Sequence, residues 1–408
     1  MKKVPASALG YAIGFLLLVA MICTGVLAFT SVNKRLEHFY LTKEHLIFDN
    51  VFALQMGANL TEKSKTLVHI SGDTSTLIKK KWGVFEVISA KTFHRQLSVE
   101  STALIGRETS HELPVLYIPE NNQPLKLAGD ALVEGKIAIS ERGVDRAYIA
   151  GRPYSRKTLI DGSIEKSDRF LPALGSNFET LNPEHLIQGT KELADLPQDS
   201  SFSFYEDTRL YTSMDDITLT GKLSGNLIIR SFTKITVTSQ SQLKHVILIA
   251  PSIVFEKNVK ATVQALASKE ITCESDVFLG YPSVCALLET APERDGVIHQ
   301  IVVGEDSKVL GGVLLHSKQP DFRKPLRFRT DIGSVIGGMI YNVGETEIKG
   351  SVLGHCYTNT LALHYGGGEN SNHLLDCTLS SKQLPEDFIF PSWLKSSTKG
   401  KQTIICRL

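Results

Sequence analysis

Three histidines recur at intervals of nine residues, His355, His364 and His373, with Cys356 and Cys377 beside them. Imidazole and thiolate are the ligands of a tetrahedral zinc site, and His373-x-x-x-Cys377 has ligand-like spacing. The set matches no standard zinc module, and Gly366, Gly367 and Gly368 would have to fold its members together. Scattered surface histidines are the plainer expectation, and neither a metal nor a cofactor is assigned. Acidic pairs stand at Glu206-Asp207, Asp215-Asp216 and Glu305-Asp306. Glycan cleavage needs acids clustered on one face, whereas solvated turn residues need no such clustering. No Ser/His/Asp arrangement, phosphate loop or dinucleotide motif stands in a credible context, so no catalytic residue is assigned. The other chemistry is thiol chemistry. Outside the apolar N-terminus lie Cys273, Cys285, Cys356, Cys377 and Cys406. The pairs Cys273/Cys285 and Cys356/Cys377 can bridge in an oxidising compartment or stay as buried thiols, and the sequence leaves both open.

The stretch Ser317 to Thr330 is basic. Arg323, Lys324, Arg327 and Arg329 are its candidate contacts to an acidic partner or polymer, against the bland reading of a solvated loop. A second basic stretch, Tyr148 to Arg156, carries two tyrosines and is a weaker candidate for a partner or a glycan.

The segments that must hold these residues show a period. Lys234-Ile-Thr-Val237, Ser252-Ile-Val-Phe255 and Glu270-Ile-Thr-Cys273 repeat at a spacing of 18 residues. In that register Ile229, Ile247 and Ala265 align, as do Leu243, Ala261 and Leu279, then Ser231, Ile249 and Ala267. Gln240, Asn258 and Asp276 also align, which builds no acidic cleft. Short strands at a fixed period indicate units that bury their inward faces only by stacking, so a β-helix from 217 to 365 is expected. Val309-Leu-Gly-Gly matches Val335-Ile-Gly-Gly, with a degenerate copy at Ile348-Lys-Gly-Ser, and excursions are expected at Phe278–Gln300 and Ser317–Thr330. Ile/Val/Gly repeats of this style resemble those of bactofilin-like, polymer-forming β-helix proteins, which implies a scaffold.

Upstream, short β-rich stretches between Thr66 and Ile105 predict a four-stranded antiparallel meander. Further strands are expected at LPVLYIP and GKIAISE, and Asn182-Pro183 predicts a helix from Pro183 to Ala194.

Val4 to Thr30 contains no charged residue, long enough for the ~20 residues that cross a bilayer. Lys2 and Lys3 precede it, which leans towards a cytoplasmic N-terminus and an exported body. Its length favours a retained anchor over a cleaved signal, the alternative marked by Val26-Leu27-Ala28. The following segment to Asn59 lacks proline, and Val32, Leu36, Phe39, Leu46, Phe48 and Val51 form an approximate helical stripe, so a continuous helical neck packed on the meander is expected. A short basic leader, an apolar helix starting at Ala6-Ser7-Ala8-Leu9 and an amphipathic continuation into a sheet resemble the organisation of type IV pilins and pseudopilins, above all minor pilins with large bodies.

Together these readings predict a mainly β protein with a long N-terminal helix: an anchor (1–30), a neck (31–60), a β-rich α+β region (61–216), a β-helix (217–365) and a C-terminal cap or tail (366–408). The net charge of +1 over 408 residues points away from nucleic acid. The expected role is a membrane-anchored structural or assembly protein in the periplasm or at the cell surface. Its expected partners are membrane lipid, other proteins or copies of itself, and a glycan. The rival reading is a glycan-active β-helix enzyme or glycan-binding adhesin.

Overall fold

A computed structural model of the chain describes residues 6–60, 62–108, 113–175, 190–289, 298–317, 326–385, 388–391, 393–394 and 402–408. The chain divides into two compact units, Met1–Ile78 with Ser89–Ser101, and Lys79–Ile88 with Thr102–Leu408.

The first unit is organised by α1 (Ala6–Ala58), a single helix of 53 residues and therefore about 80 Å long. No proline interrupts it. Its apolar half has a mean hydropathy of 2.6 over the best window and is uncovered by the rest of the chain. That half is a candidate membrane anchor or signal sequence, since water is a poor solvent for a helix apolar on every side.

Beyond the apolar half, one side of α1 becomes buried. Leu46, Asn50, Ala53, Leu54 and Ala58 are covered, at spacings of three and four. The stripe differs from the one expected. Leu46 belongs to it, but Phe48 lies on the opposite side at 65% exposure, Leu36 and Phe39 are also exposed, and Val51 is half-buried. Apolar character alone does not report which side faces the sheet, because this helix carries apolar residues on two faces.

The meander has four strands: β1 (Ser64–Val68), β2 (Thr74–Trp82), β3 (Phe85–His94) and β4 (Leu97–Glu108), paired in that order. The meander has the expected number of strands, and Ile389–Phe390 and Gln402–Arg407 pair with β4 to bring the sheet to six. Thr92 to Val99, a continuous β-rich stretch in the sequence, contains the β3–β4 turn, with Arg95 at φ 53. β2 is the strand least visible in the sequence, because Lys79, Lys80 and Lys81 interrupt its alternation.

The second unit is dominated by parallel strands whose pairings close on themselves into a barrel-like sheet. Ile217 lies opposite Ile235, Leu243 opposite Ala261, and Ile253 opposite Ile271, each 18 residues on. Ile217, Ile235, Ile253, Ile271, Ile301 and Phe328 all enter one buried apolar cluster. Elsewhere the expected register slips by one. Ile229 lies opposite Leu248, and Leu248 opposite Ala265, while Ile247 pairs with Ile228 and Gln264; likewise Ile249 pairs with Arg230 and Leu266, not Ser231 and Ala267. The causes are two extra residues between Val237 and Ser241, partly offset by one extra in Ser224–Leu227, and one more in Lys244–Val246, where His245 takes φ 56. Side chains alternate with period two, so each inserted residue sends the following ones to the other face. Ile247 and Ile249 thus leave the cluster that holds Ile229 and Ala265 and join a second one with Trp82, Phe85 and Leu104.

The glycine repeat slips in the same way. Gly311 lies opposite Gly338, and Gly338 opposite Gly354, in place of the column Gly311, Gly337 and Gly350. All three observed members have φ between 125 and 137, and an added Cβ on Gly338 would sit 2.2 Å from the Gly311 carbonyl oxygen. Only a residue without a Cβ stacks there.

Asn258, Asp276 and Asp306 form a column of left-handed turns (φ 62, 59 and 55), which explains the Glu305-Asp306 pair as turn chemistry. Residues 190–192 are a strand and Leu193–Asp195 a 3-10 turn, so the described end of the expected helix 183–194 is not α-helical; its start lies outside the described residues. Both expected excursions begin or end in the wall itself, since Phe278–Glu289 and Arg327–Thr330 are strands of the parallel sheet. Leu116–Tyr117, Ile137–Ile139 and Thr378–Ser380 join that sheet as well.

Candidate functional site at the helical neck

The buried side of α1 is apolar except for Asn50, which is 1% exposed. Its Nδ2 group donates to the Ala90 and Val99 carbonyl oxygens (2.9 and 3.1 Å) and to Thr92 Oγ1 (3.1 Å). Ser101 Oγ donates to Asn50 Oδ1. One amide therefore reads two strands, β3 and β4, and fixes both the rotation and the height of the neck on the sheet. A buried amide left unpaired is costly, so the wrong register is excluded as the right one is favoured.

A polar chain runs beside it. Thr92 Oγ1 meets Ser75 Oγ at 2.6 Å, and Ser75 Oγ meets His69 Nε2 at 2.6 Å. His69 Nδ1 faces Asp49 Oδ1 of α1 at 3.7 Å, and Ser71 Oγ donates to Asp49 Oδ2 at 2.7 Å. Asp49, His69 and Ser75 have the residue types of a hydrolase triad, and sequence reasoning missed them because they are brought together from three elements. Ser75 is fully buried and its hydroxyl is engaged on both sides, so no substrate carbonyl reaches it. What this arrangement does is hold the helix to β1–β3.

Replacing Asn50 with leucine keeps the volume and removes every one of these bonds. The Ser101 hydroxyl and two carbonyls lose their partner, a loss of about 2–4 kcal/mol in docking. Amide exchange across residues 46–58 should accelerate in the full-length protein while membrane retention stays unchanged. Wild-type protection in that variant would remove Asn50 from this role.

The opposite side of the neck is exposed and apolar. Leu41, Phe48, Phe52 and Met56 are 50, 65, 54 and 52% exposed and recur at intervals of seven, four and four, on one face of the helix.

The candidates named from sequence lie in the second unit. Arg323 and Lys324 fall outside the described residues. Arg327 and Arg329 lie on the Arg327–Thr330 strand, opposite Glu345 and Glu347 of the next strand, with Arg329 also 3.7 Å from Asp331. Burial raises the Glu345 carboxyl above its usual range, and Arg327 opposes that rise. The three histidines are not gathered. His355 is buried with Nδ1 3.0 Å from the Pro114 carbonyl oxygen, His364 lies between Glu345 and Glu347 (3.6 and 3.5 Å), and His373 turns to the Ser371 carbonyl oxygen. Cys356 and Cys377 are buried in the apolar core near one another, and burial pushes both thiols up to about 12. Cys273 is likewise buried and hydrogen-bonds Cys285. An open groove of about 490 Å³ along the wall is lined by Lys222, Lys244 and Lys260 and a single carboxylate, Asp199, so it offers no carboxylate pair for glycosidic cleavage.

Burial lowers His355 from 6.5 to about 4. The unfolded chain then binds the extra proton first as pH falls, so stability is full above about 6.5 and is lost down to about 4. The loss amounts to about 3 kcal/mol over that window. Urea midpoints at pH 7 and pH 4.5 should show a larger acid loss for the wild type than for His355→Gln, and equal losses would contradict the assignment.

No family model matches the chain, and no curated protein matches it. Among solved structures, it is similar to the competence-associated pilin ComZ from Thermus thermophilus at 9% identity and a TM-score of 0.27, over 85% of this chain and 86% of that one.

Proposed function

We propose that this protein is a membrane-anchored, pilin-like assembly component. The apolar half of α1 holds it in the bilayer, the neck associates with the neck of a second copy, and the body stands in the periplasm or at the cell surface. In this reading the closed parallel sheet is a β-helix that serves as a rigid spacer or binding face. The observation that carries it is the two-sided neck. One side is keyed to the sheet by Asn50, while Leu41, Phe48, Phe52 and Met56 lie uncovered on the other, in line with the membrane-embedded half of the same helix. An apolar helix face continuous with an anchor is suited to helix–helix packing.

The test is photo-cross-linking of the full-length protein in membranes from a benzophenone side chain installed at Gln55. Phe48→Lys with Phe52→Lys should reduce cross-linked dimer at least about tenfold, a loss of about 1.4 kcal/mol or more in association. Thermal stability should fall by no more than about 1 kcal/mol, because Phe48 is exposed and Phe52 loses only its edge contact with His69 at 6.3 Å. Undiminished cross-linking would overturn the neck as the assembly surface. Arg327 and Arg329 form a second proposed contact, to an acidic partner or polymer, and Arg327→Ser with Arg329→Ser is the matching arm of the same assay.

A further inference from the structure

Beside the neck, α1 and the β3–β4 turn enclose an open groove of about 670 Å³. Lys34, Arg35 and His38 come from the helix and Arg95 from the turn, with Phe39 and Leu97 as apolar floor and no carboxylate in the lining. His94, also in the lining, is taken up by Asp73 at 2.6 Å. Lys34, Arg35 and Arg95 enter no ion pair among the described residues. Like charges gathered without partners repel each other, so the groove is arranged for an anion from outside the chain.

Its height along the helix says which anion. Lys34 is the first charged residue after the apolar run and lies four residues beyond Thr30, about 6 Å along the axis. The headgroup layer beyond the hydrocarbon core is about 5–8 Å deep, so a bilayer whose core ends at Thr30 would hold Lys34 and Arg35 within that layer. Arg95 occupies a left-handed position (φ 53) where glycine or asparagine is at ease, and an arginine there gains nothing for the turn itself. Phe39, 41% exposed, presents an apolar ring beneath these cations, as an amphipathic ligand requires.

We propose that this groove binds the headgroup of an anionic phospholipid, with Lys34, Arg35 and Arg95 on the phosphate and Phe39 and Leu97 against the glycerol and first methylenes. The proposal rests on the reading of α1 as a membrane anchor. A bound headgroup would fix the depth at which the neck leaves the bilayer.

The experiment uses the full-length protein in nanodiscs of mixed phosphatidylglycerol and phosphatidylcholine, with retained lipid counted by native mass spectrometry. Phosphatidylglycerol should be retained in excess of its bulk share. Arg95→Asn should lower that excess about fivefold while leaving the turn as stable as before or more so, since asparagine suits the backbone there. Adding Lys34→Ser and Arg35→Ser should abolish it. Retention at the bulk ratio in the wild type, or unchanged excess in the triple variant, overturns the lipid site. Loss of the excess on adding inorganic phosphate at constant ionic strength assigns the groove to free phosphate and overturns it too. Failure of the protein to enter nanodiscs at all overturns the anchor reading itself, and the groove proposal with it.

Discussion

Gly338→Val is expected to prevent the parallel sheet from forming. Position 338 has φ 125, and its Cβ would lie 2.2 Å from the Gly311 carbonyl oxygen and 2.8 Å from the carbonyl carbon. The obstacle is backbone, so no rotamer change relieves it, and a β-branched side chain at that φ adds strain of its own. A loss on the order of 4–5 kcal/mol follows, close to the whole stability of many domains. Gly337→Ala is the informative control. Its neighbour is the end of the Leu310 side chain, at 2.8 Å, and its φ is not positive, so a loss of about 1 kcal/mol is expected. Urea midpoints and limited proteolysis of both variants measure the difference. Equal effects at 337 and 338 would contradict the observed register.

Ile253→Asp has the second large expected effect. Ile253 is fully buried, opposite Ile271, in the cluster that also holds Ile235 and Ile217. An aspartate there has no cation within the cluster, so it is buried charged at great cost or protonated at less, and about 4 kcal/mol or more of stability is lost. Ile253→Val removes one methyl group and should cost about 1 kcal/mol. Val254→Asp places the same carboxylate on the half-buried alternate face and should be far milder. A midpoint for Ile253→Asp within experimental error of Val254→Asp would sink the inward ladder.

The keying of the neck was the part least visible in the sequence. Asn50 carries no signal of its own, and its partners Ala90, Thr92, Val99 and Ser101 follow 40 to 51 residues later on two strands. The Asp49–His69–Ser75 chain is equally scattered, and only its burial distinguishes a positional device from a catalytic one. The groove at Lys34 and Arg95 joins a helix and a turn about 60 residues apart, and neither basic residue stands out from the many others in the chain.

What the amino-acid sequence determined by itself was whatever has a local or periodic cause. The charge-free run from Val4 to Thr30, the unbroken helix after it and the 18-residue recurrence of Ile235, Ile253 and Ile271 were all legible, because hydropathy and period are summed over many residues and survive local exceptions. Tertiary structure decided register and face. The extra residue at Lys244–Val246 turns Ile247 to the other side of the sheet, and the stacking of backbone on backbone selects Gly338 over Gly337. Such choices depend on what a neighbouring strand leaves room for. With a side-chain period of two, a single inserted residue reverses the outcome while leaving the composition of the segment unchanged.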